Sequence, residues 1–168
     1  MKAIAHRPGR LAFRDSVLDT DPATVRVIVE SSGFFYPKEV EVAESLVRQR
    51  LAEGERSGYY FIFSEFDGQT VGYACFGPTP CTLWSWDLYW IAVHASHRGQ
   101  GLGRAILSRV EEAVVGALGK RLYVETSSRK LYEPTRAFYL QCGYKLEATI
   151  EDFYGPADSK CIFVKVLT

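Results

Sequence analysis

Apolar residues along the chain follow two periods, and the switch between them divides it. In "KEVEVAESLVRQRLAEG" (38–54), Val40, Ala43, Val47 and Leu51 recur every three or four residues, and Gly54 is the stop. That spacing predicts a helix with one buried face. The preceding "DTDPATVRVIVESSG" predicts another, with Asp21 as N-cap, Pro22 at the first helical position and Gly33 at the end. A short first strand is expected over Leu11–Val17. Residues 58–77 then read as two strands around Asp67-Gly68, the dipeptide of a tight hairpin. "WDLYWIAVH" (86–94) is apolar on both faces, which places it centrally in a sheet. A helix over 101–118 carries Leu102, Ile106, Val110 and Val114 on one face. A strand (120–126), a short helix (133–143, with Pro134 near its start) and a closing pair of strands (144–155 and 160–167) complete the chain. The order β-α-α-β-β-β-α-β-α-β-β predicts one α/β domain with a mixed, mainly antiparallel sheet flanked by helices. Residues 1–10 are expected to be an N-terminal tail, and residues 11–168 the domain.

Composition narrows the partners. Lys plus Arg number 20, as do Asp plus Glu, so the net charge is zero. That argues against nucleic-acid binding through a broad basic surface. No stretch approaches a membrane span, and the polar, basic start lacks the apolar run of a signal peptide, so a cytoplasmic protein without a membrane partner is expected. Cys75, Cys81, Cys142 and Cys161 share no regular spacing. Neither a metal site nor a disulfide framework is indicated, and reduced, mostly buried thiols are expected.

The candidate chemistry begins at "HRGQGLGRAIL" (97–107), where three glycines alternate between Arg98 and Arg104 before the pattern turns helical. A helix N-terminus offers unpaired N–H groups and the positive end of its dipole. Glycines let a phosphate approach the backbone, and arginines add charge and forked donors. The stretch is therefore suited to a phosphate or pyrophosphate. It is not a P-loop, because no Lys-Ser or Lys-Thr follows the glycines. It is not a dinucleotide fingerprint, because Ile106 holds the third glycine slot.

Arg98-x-x-Gly101-x-Gly103, directly after an apolar strand, resembles the pyrophosphate motif of the GNAT superfamily of acyl-CoA N-acyltransferases. "TRAFYLQCGY" (135–144) is similar to that family's second hallmark, and the element order agrees. The resemblance implies that acetyl-CoA is the cosubstrate. Its pantetheine arm would run along the main chain of Ile91, Ala92 and Val93, and its pyrophosphate would meet Arg98, Gly99, Gln100, Gly101, Leu102, Gly103 and Arg104. It further implies that Tyr139 is a general acid toward the departing thiolate. Asp87, eleven residues before Arg98, stands where the histone-acetylating branch has a basic glutamate. Many members carry an asparagine seven residues before the tyrosine; Tyr132 stands there, so that contact is not carried over.

The residues themselves leave alternatives. The alternative for Tyr139 is a packing aromatic beside Phe138, and for Asp87 an ammonium anchor or a strand-edge residue. Trp84, Trp86 and Tyr89 are expected to crowd Asp87 and raise its pKa. His94 and His97 read as polar loop residues. Phe35, Tyr36, Trp84 and Tyr154 are expected to wall an acceptor pocket with Glu39 and Asp152 as anchors; core packing or a homodimer interface would use the same aromatics. The expected function is transfer of an acetyl group to a primary amine of a small molecule or peptide. The alternative is a CoA-binding regulatory module without turnover.

Overall fold

The computed structural model describes residues 10–168. Of the expected tail only Arg10 is among them, and it is held: its N–H donates to Asp67 Oδ1 at 2.8 Å, and its carbonyl accepts from the Asp67 N–H at 3.1 Å. The rest of that segment lies outside the described residues.

The elements run in the expected order: β1 (Leu11–Arg14), α1 (Asp21–Ser31), α2 (Pro37–Glu53), β2 (Tyr60–Phe66), β3 (Gln69–Pro78), β4 (Ser85–Val93), α3 (Leu102–Gly116), β5 (Arg121–Ser127), α4 (Glu133–Gln141), β6 (Lys145–Gly155) and β7 (Asp158–Val166). Asp67 and Gly68 both take positive φ, as a hairpin turn that follows the strand twist requires. The first strand is shorter than expected. Its last residue, Arg14, closes a fork on Asp21, with bonds of 2.8 and 2.5 Å. Asp21 is consequently buried rather than capping; Thr20 holds the N-cap position of α1 without a side-chain bond. A bidentate ionic contact in a buried setting is stronger than a cap.

The strands form one sheet in the order β1-β2-β3-β4-β5-β7-β6. Every pairing is antiparallel except β4 with β5. Each face carries its own core. On one, Val25, Ile28 and Val29 of α1 and Val40, Ala43 and Val47 of α2 cover Phe61, Phe63 and Tyr73. On the other, Ile106, Leu107, Val110 and Val114 of α3 meet Trp86, Leu88, Leu122 and Phe163.

The one parallel pair is also incomplete. β4 and β5 pair from Ser85↔Arg121 to Leu88↔Val124 and no further, although both strands continue. At that point β4 slips against β3: Cys75 pairs with Trp90 and Phe76 with Leu88, leaving Tyr89 as a bulge. A bulge bends its strand and increases its twist. β5 meanwhile stays with β7 as far as Ser127↔Lys160. The sheet therefore opens in its middle, beyond Leu88 and Val124.

Candidate active site

The opening is the floor of a cleft of about 1540 Å³. Its walls include β4 from Asp87 onward, β5 from Tyr123 onward, the start of α3, Phe138 and Tyr139 of α4, the α1–α2 connection and the β6–β7 turn.

Strand geometry decides which backbone groups face it. The His94 N–H donates to the Val71 carbonyl at 2.8 Å, so in the ladder Gly72↔Val93, Tyr73↔Ala92, Ala74↔Ile91 the hydrogen-bonded pairs include Ala92. In antiparallel pairing such residues alternate with ones whose N–H and C=O point the other way. Ile91 and Val93 thus turn their main-chain groups toward the opening, while Ala92 turns its own to β3. Ala92 reaches the cleft only as wall.

At the end of β4 the chain makes a short turn (Ala95–His97) and enters α3. Gly99 and Gly101 have φ of 73° and 79°, a region that costs other residues about 1 kcal/mol or more. Gly101 is the N-cap of α3 and no side chain caps the helix, so its first N–H groups are free for a ligand. Gly99, Gly101, Leu102, Gly103 and Arg104 line the cleft; Gln100, exposed, is not part of its wall. The two arginines are already engaged. Arg98 Nε donates to the Val93 carbonyl at 3.2 Å, and its guanidinium lies over Phe34, 5.1 Å from the ring centre. Arg104 donates to the Gln141 carbonyl at 3.3 Å. Arg98 therefore joins the end of β4 to the α1–α2 connection and takes up one of the outward-facing carbonyls. His94 and His97 both hydrogen-bond Ser96, at 2.7 and 2.9 Å, at the surface of the same turn.

Asp87 lies where the opening begins, half-buried, with Oδ2 accepting from Thr79 Oγ1 at 2.6 Å. Burial raises its pKa, Thr79 opposes the rise and the charge of Glu125 adds to it. The tryptophans are not the cause. Trp86 points to the opposite face, into the α3 core, and Trp84 is 44% exposed with Lys120 over its ring. Side chains alternate along a strand, so neighbours of Asp87 in sequence are not its neighbours in space. Tyr89 does share its side: burial and then Asp87 push the phenol up to about 12.

Tyr139 is only 3% exposed, its ring between Phe138, Tyr144 and Phe163 at 5.3, 5.7 and 6.0 Å. Burial drives its pKa well above the ordinary phenol value. Its hydroxyl forms no hydrogen bond among the described residues, and the residue borders the cleft. The packing and cleft readings of this residue are thus compatible.

Of the residues expected on the acceptor side, Phe35, Tyr36, Glu39 and Tyr154 border the cleft, and Trp84 does not. Neither proposed anchor is free. Glu39 accepts from the Tyr36 N–H at 2.8 Å, closing the start of α2, and Asp152, near the end of β6, accepts at 2.8 Å from the N–H of Ala157 in the β6–β7 turn. Arg129, which the sequence does not single out, ties this side together. It donates to Tyr36 Oη at 2.9 Å and lies 3.2 Å from Asp158 Oδ2. Its partners are 93 and 29 residues away, beyond any local sequence signal. Among the described residues no three His, Cys, Asp or Glu side chains gather as a metal site, and no helix is long and apolar enough to cross a membrane.

An opened central sheet with an uncapped, glycine-led helix at one end is the acetyltransferase architecture that the motif implies. Residues 57–146 match the family described as acetyltransferase (GNAT) domain, and this chain belongs to that family, whose acyl donor is acetyl-CoA. A protein of Desulfovibrio desulfuricans described as a GNAT-family acetyltransferase is 44% identical, with TM-score 0.93 over 95% of this chain and 100% of its own. At 16% identity, the fold is shared with an aminoglycoside 6'-N-acetyltransferase complexed with coenzyme A (TM-score 0.76; 95% and 97% covered). It is shared equally with the ribosomal-protein-S18-alanine N-acetyltransferase of Escherichia coli (16% identity, TM-score 0.73; 95% of both chains). No protein of curated function matches the sequence.

Proposed function

We propose that the protein transfers the acetyl group of acetyl-CoA to a primary amine by direct attack, with Asp87 as general base and Tyr139 as donor to the leaving sulfur. The observation that carries this reading is that both residues border the one opening in the sheet, which ends at the free N-terminus of α3. The residues fit the donor. The N–H groups that open α3 suit a pyrophosphate, and the outward main-chain groups of Ile91 with the Val93 N–H suit the amides of the pantetheine arm, the Val93 carbonyl being held by Arg98. When bound, acetyl-CoA supplies the activated acyl carbon.

The chain's own groups handle the protons. An alkyl ammonium has a pKa of about 10.4, so freeing the amine near pH 7.4 costs about 4 kcal/mol. Asp87, raised by burial, takes that proton, through one water because its side chain is short. The nitrogen lone pair forms the C–N bond, the C–S bond breaks, negative charge grows on sulfur, and the now positive nitrogen releases its second proton to give the neutral amide. The Tyr139 phenol stays protonated at neutral pH and donates a hydrogen bond to that sulfur. Its proton is held more tightly than a thiol's, whose ordinary pKa is about 8.5, so Tyr139 stabilises the thiolate by hydrogen bonding, and the proton released by the newly acylated nitrogen reaches the sulfur through solvent.

The test is CoA release from acetyl-CoA across a panel of small amines and peptide N-termini, for the natural protein and Asp87→Asn. Amine-dependent release that Asp87→Asn lowers at pH 7 and regains in part at higher pH supports the proposal. Binding of CoA without release on any amine would favour a regulatory CoA-binding module instead.

A further inference from the structure

The base is not alone in its place. β3 and β4 pair Gly77↔Asp87 and Pro78↔Trp86, and the ladder continues one step through the Thr79 N–H, which donates to the Ser85 carbonyl at 2.9 Å. The residue directly opposite Asp87 is thus a glycine. A Cβ there would lie 2.1 Å from the Gly58 carbonyl oxygen and 3.1 Å from the Tyr89 ring. With no side chain opposite, the diagonal neighbour on the same face, Thr79, is the one that reaches the carboxylate. Thr79 is itself fixed. Its carbonyl accepts from the Thr82 N–H at 3.3 Å and from Thr82 Oγ1 at 2.8 Å, and a β-branched side chain has few rotamers.

The geometry points to Thr79 as the positioning residue of the reaction: its 2.6 Å hydrogen bond holds Asp87 Oδ2 and leaves Oδ1 to receive the amine proton. This rests on the reading of Asp87 as the base. An ionised carboxylate only accepts, so the threonine hydroxyl must donate, and the bond favours the charged form. The other titratable groups on Asp87 act differently. From β5, Glu125 repels its charge and is itself paired with Lys160 at 2.9 Å; Tyr123 of β5 and Tyr89 of β4, with Tyr59 against it, add bulk without positive charge. Thr79 is therefore the group that opposes the rise in the Asp87 pKa in its half-buried place.

The test combines carboxyl-carbon NMR titration of aspartate-labelled protein with kcat/KM–pH profiles. The Asp87 signal is assigned by its loss in Asp87→Asn. Thr79→Val keeps the shape and removes the donor. It is expected to move the Asp87 titration and the acidic limb of the profile upward by about one unit, with about a tenfold loss of kcat/KM on that limb, regained at higher pH. Thr79→Ser is expected to return both toward the natural protein. An unmoved Asp87 titration in Thr79→Val, or no recovery in Thr79→Ser, overturns the inference. If Asp87→Asn lowers kcat/KM while Thr79→Val leaves the profile in place, Thr79 falls and Asp87 stands. If Asp87→Asn leaves kcat/KM unchanged, the base reading falls and takes this inference with it.

Discussion

At the scale of residues, Asp87 and Tyr139 hold opposite bargains with the fold. Asp87 has a raised pKa, so ionising it costs the folded state free energy. Below the unfolded value of about 3.9 both states are protonated and the cost vanishes; it is fully present once pH passes the folded pKa. Asp87→Asn should therefore raise the melting temperature at pH 7 while lowering activity, with the gain closing as pH falls toward about 4. Equal melting temperatures across that range would show that the carboxylate is not under strain. Tyr139 is mostly a core ring, and Tyr139→Phe keeps its three ring contacts. Melting temperature and CoA affinity should hold while kcat drops about 10²- to 10³-fold, as for a lost preorganised donor to developing charge. Unchanged kcat would leave Tyr139 as packing alone. The sequence offers both residues as candidates, but it does not show the environment of Asp87. Trp86 is its chain neighbour and faces the other core, while Thr79 belongs to another strand.

At the scale of elements, the start of α3 separates two roles that glycine plays. Gly101 sits at φ 79°, so Gly101→Ala should lose both stability, by about 1 kcal/mol or more, and CoA affinity. Gly103 lies inside the helix, and a Cβ there would meet the Phe138 ring at an ordinary 3.6 Å. Gly103→Ala should then keep stability and lower CoA affinity, because its Cβ crowds the approach of the phosphate to the backbone. Calorimetry showing full affinity in both variants would remove the pyrophosphate from this turn. The glycine pattern makes the turn visible in the sequence because only backbone conformation is at stake. The arginines are less legible: Arg98 is spent on the Val93 carbonyl and the Phe34 ring, contacts that depend on where the α1–α2 connection ends up. Helix starts are also set by distant partners, as Asp21 shows by binding Arg14 rather than capping α1.

At the scale of the molecule, periodicity is enough to order every element and to put the apolar "LYWIAV" strand in the centre, since each face of it must be covered. The opening itself leaves no such trace. It depends on where β4 stops pairing with β5 and on the bulge at Tyr89, and both are features of register rather than of composition. Because the opening is preformed, acetyl-CoA should stabilise the fold by mass action. At one hundred times its Kd the gain is about 2.7 kcal/mol, or about 5 to 10 °C for a domain of this size. In the proposed mechanism this opening delivers an acetyl group between Asp87 and Tyr139. That mechanism is tested most directly by a crystal structure of the complex with acetyl-CoA. The expected complex has the pyrophosphate on the N–H groups that open α3, the pantetheine amides on Ile91 and the Val93 N–H, and the sulfur within hydrogen-bond reach of Tyr139 Oη on the side that Asp87 faces. A thioester bound away from Tyr139, or a donor lying outside the opening between β4 and β5, would contradict it.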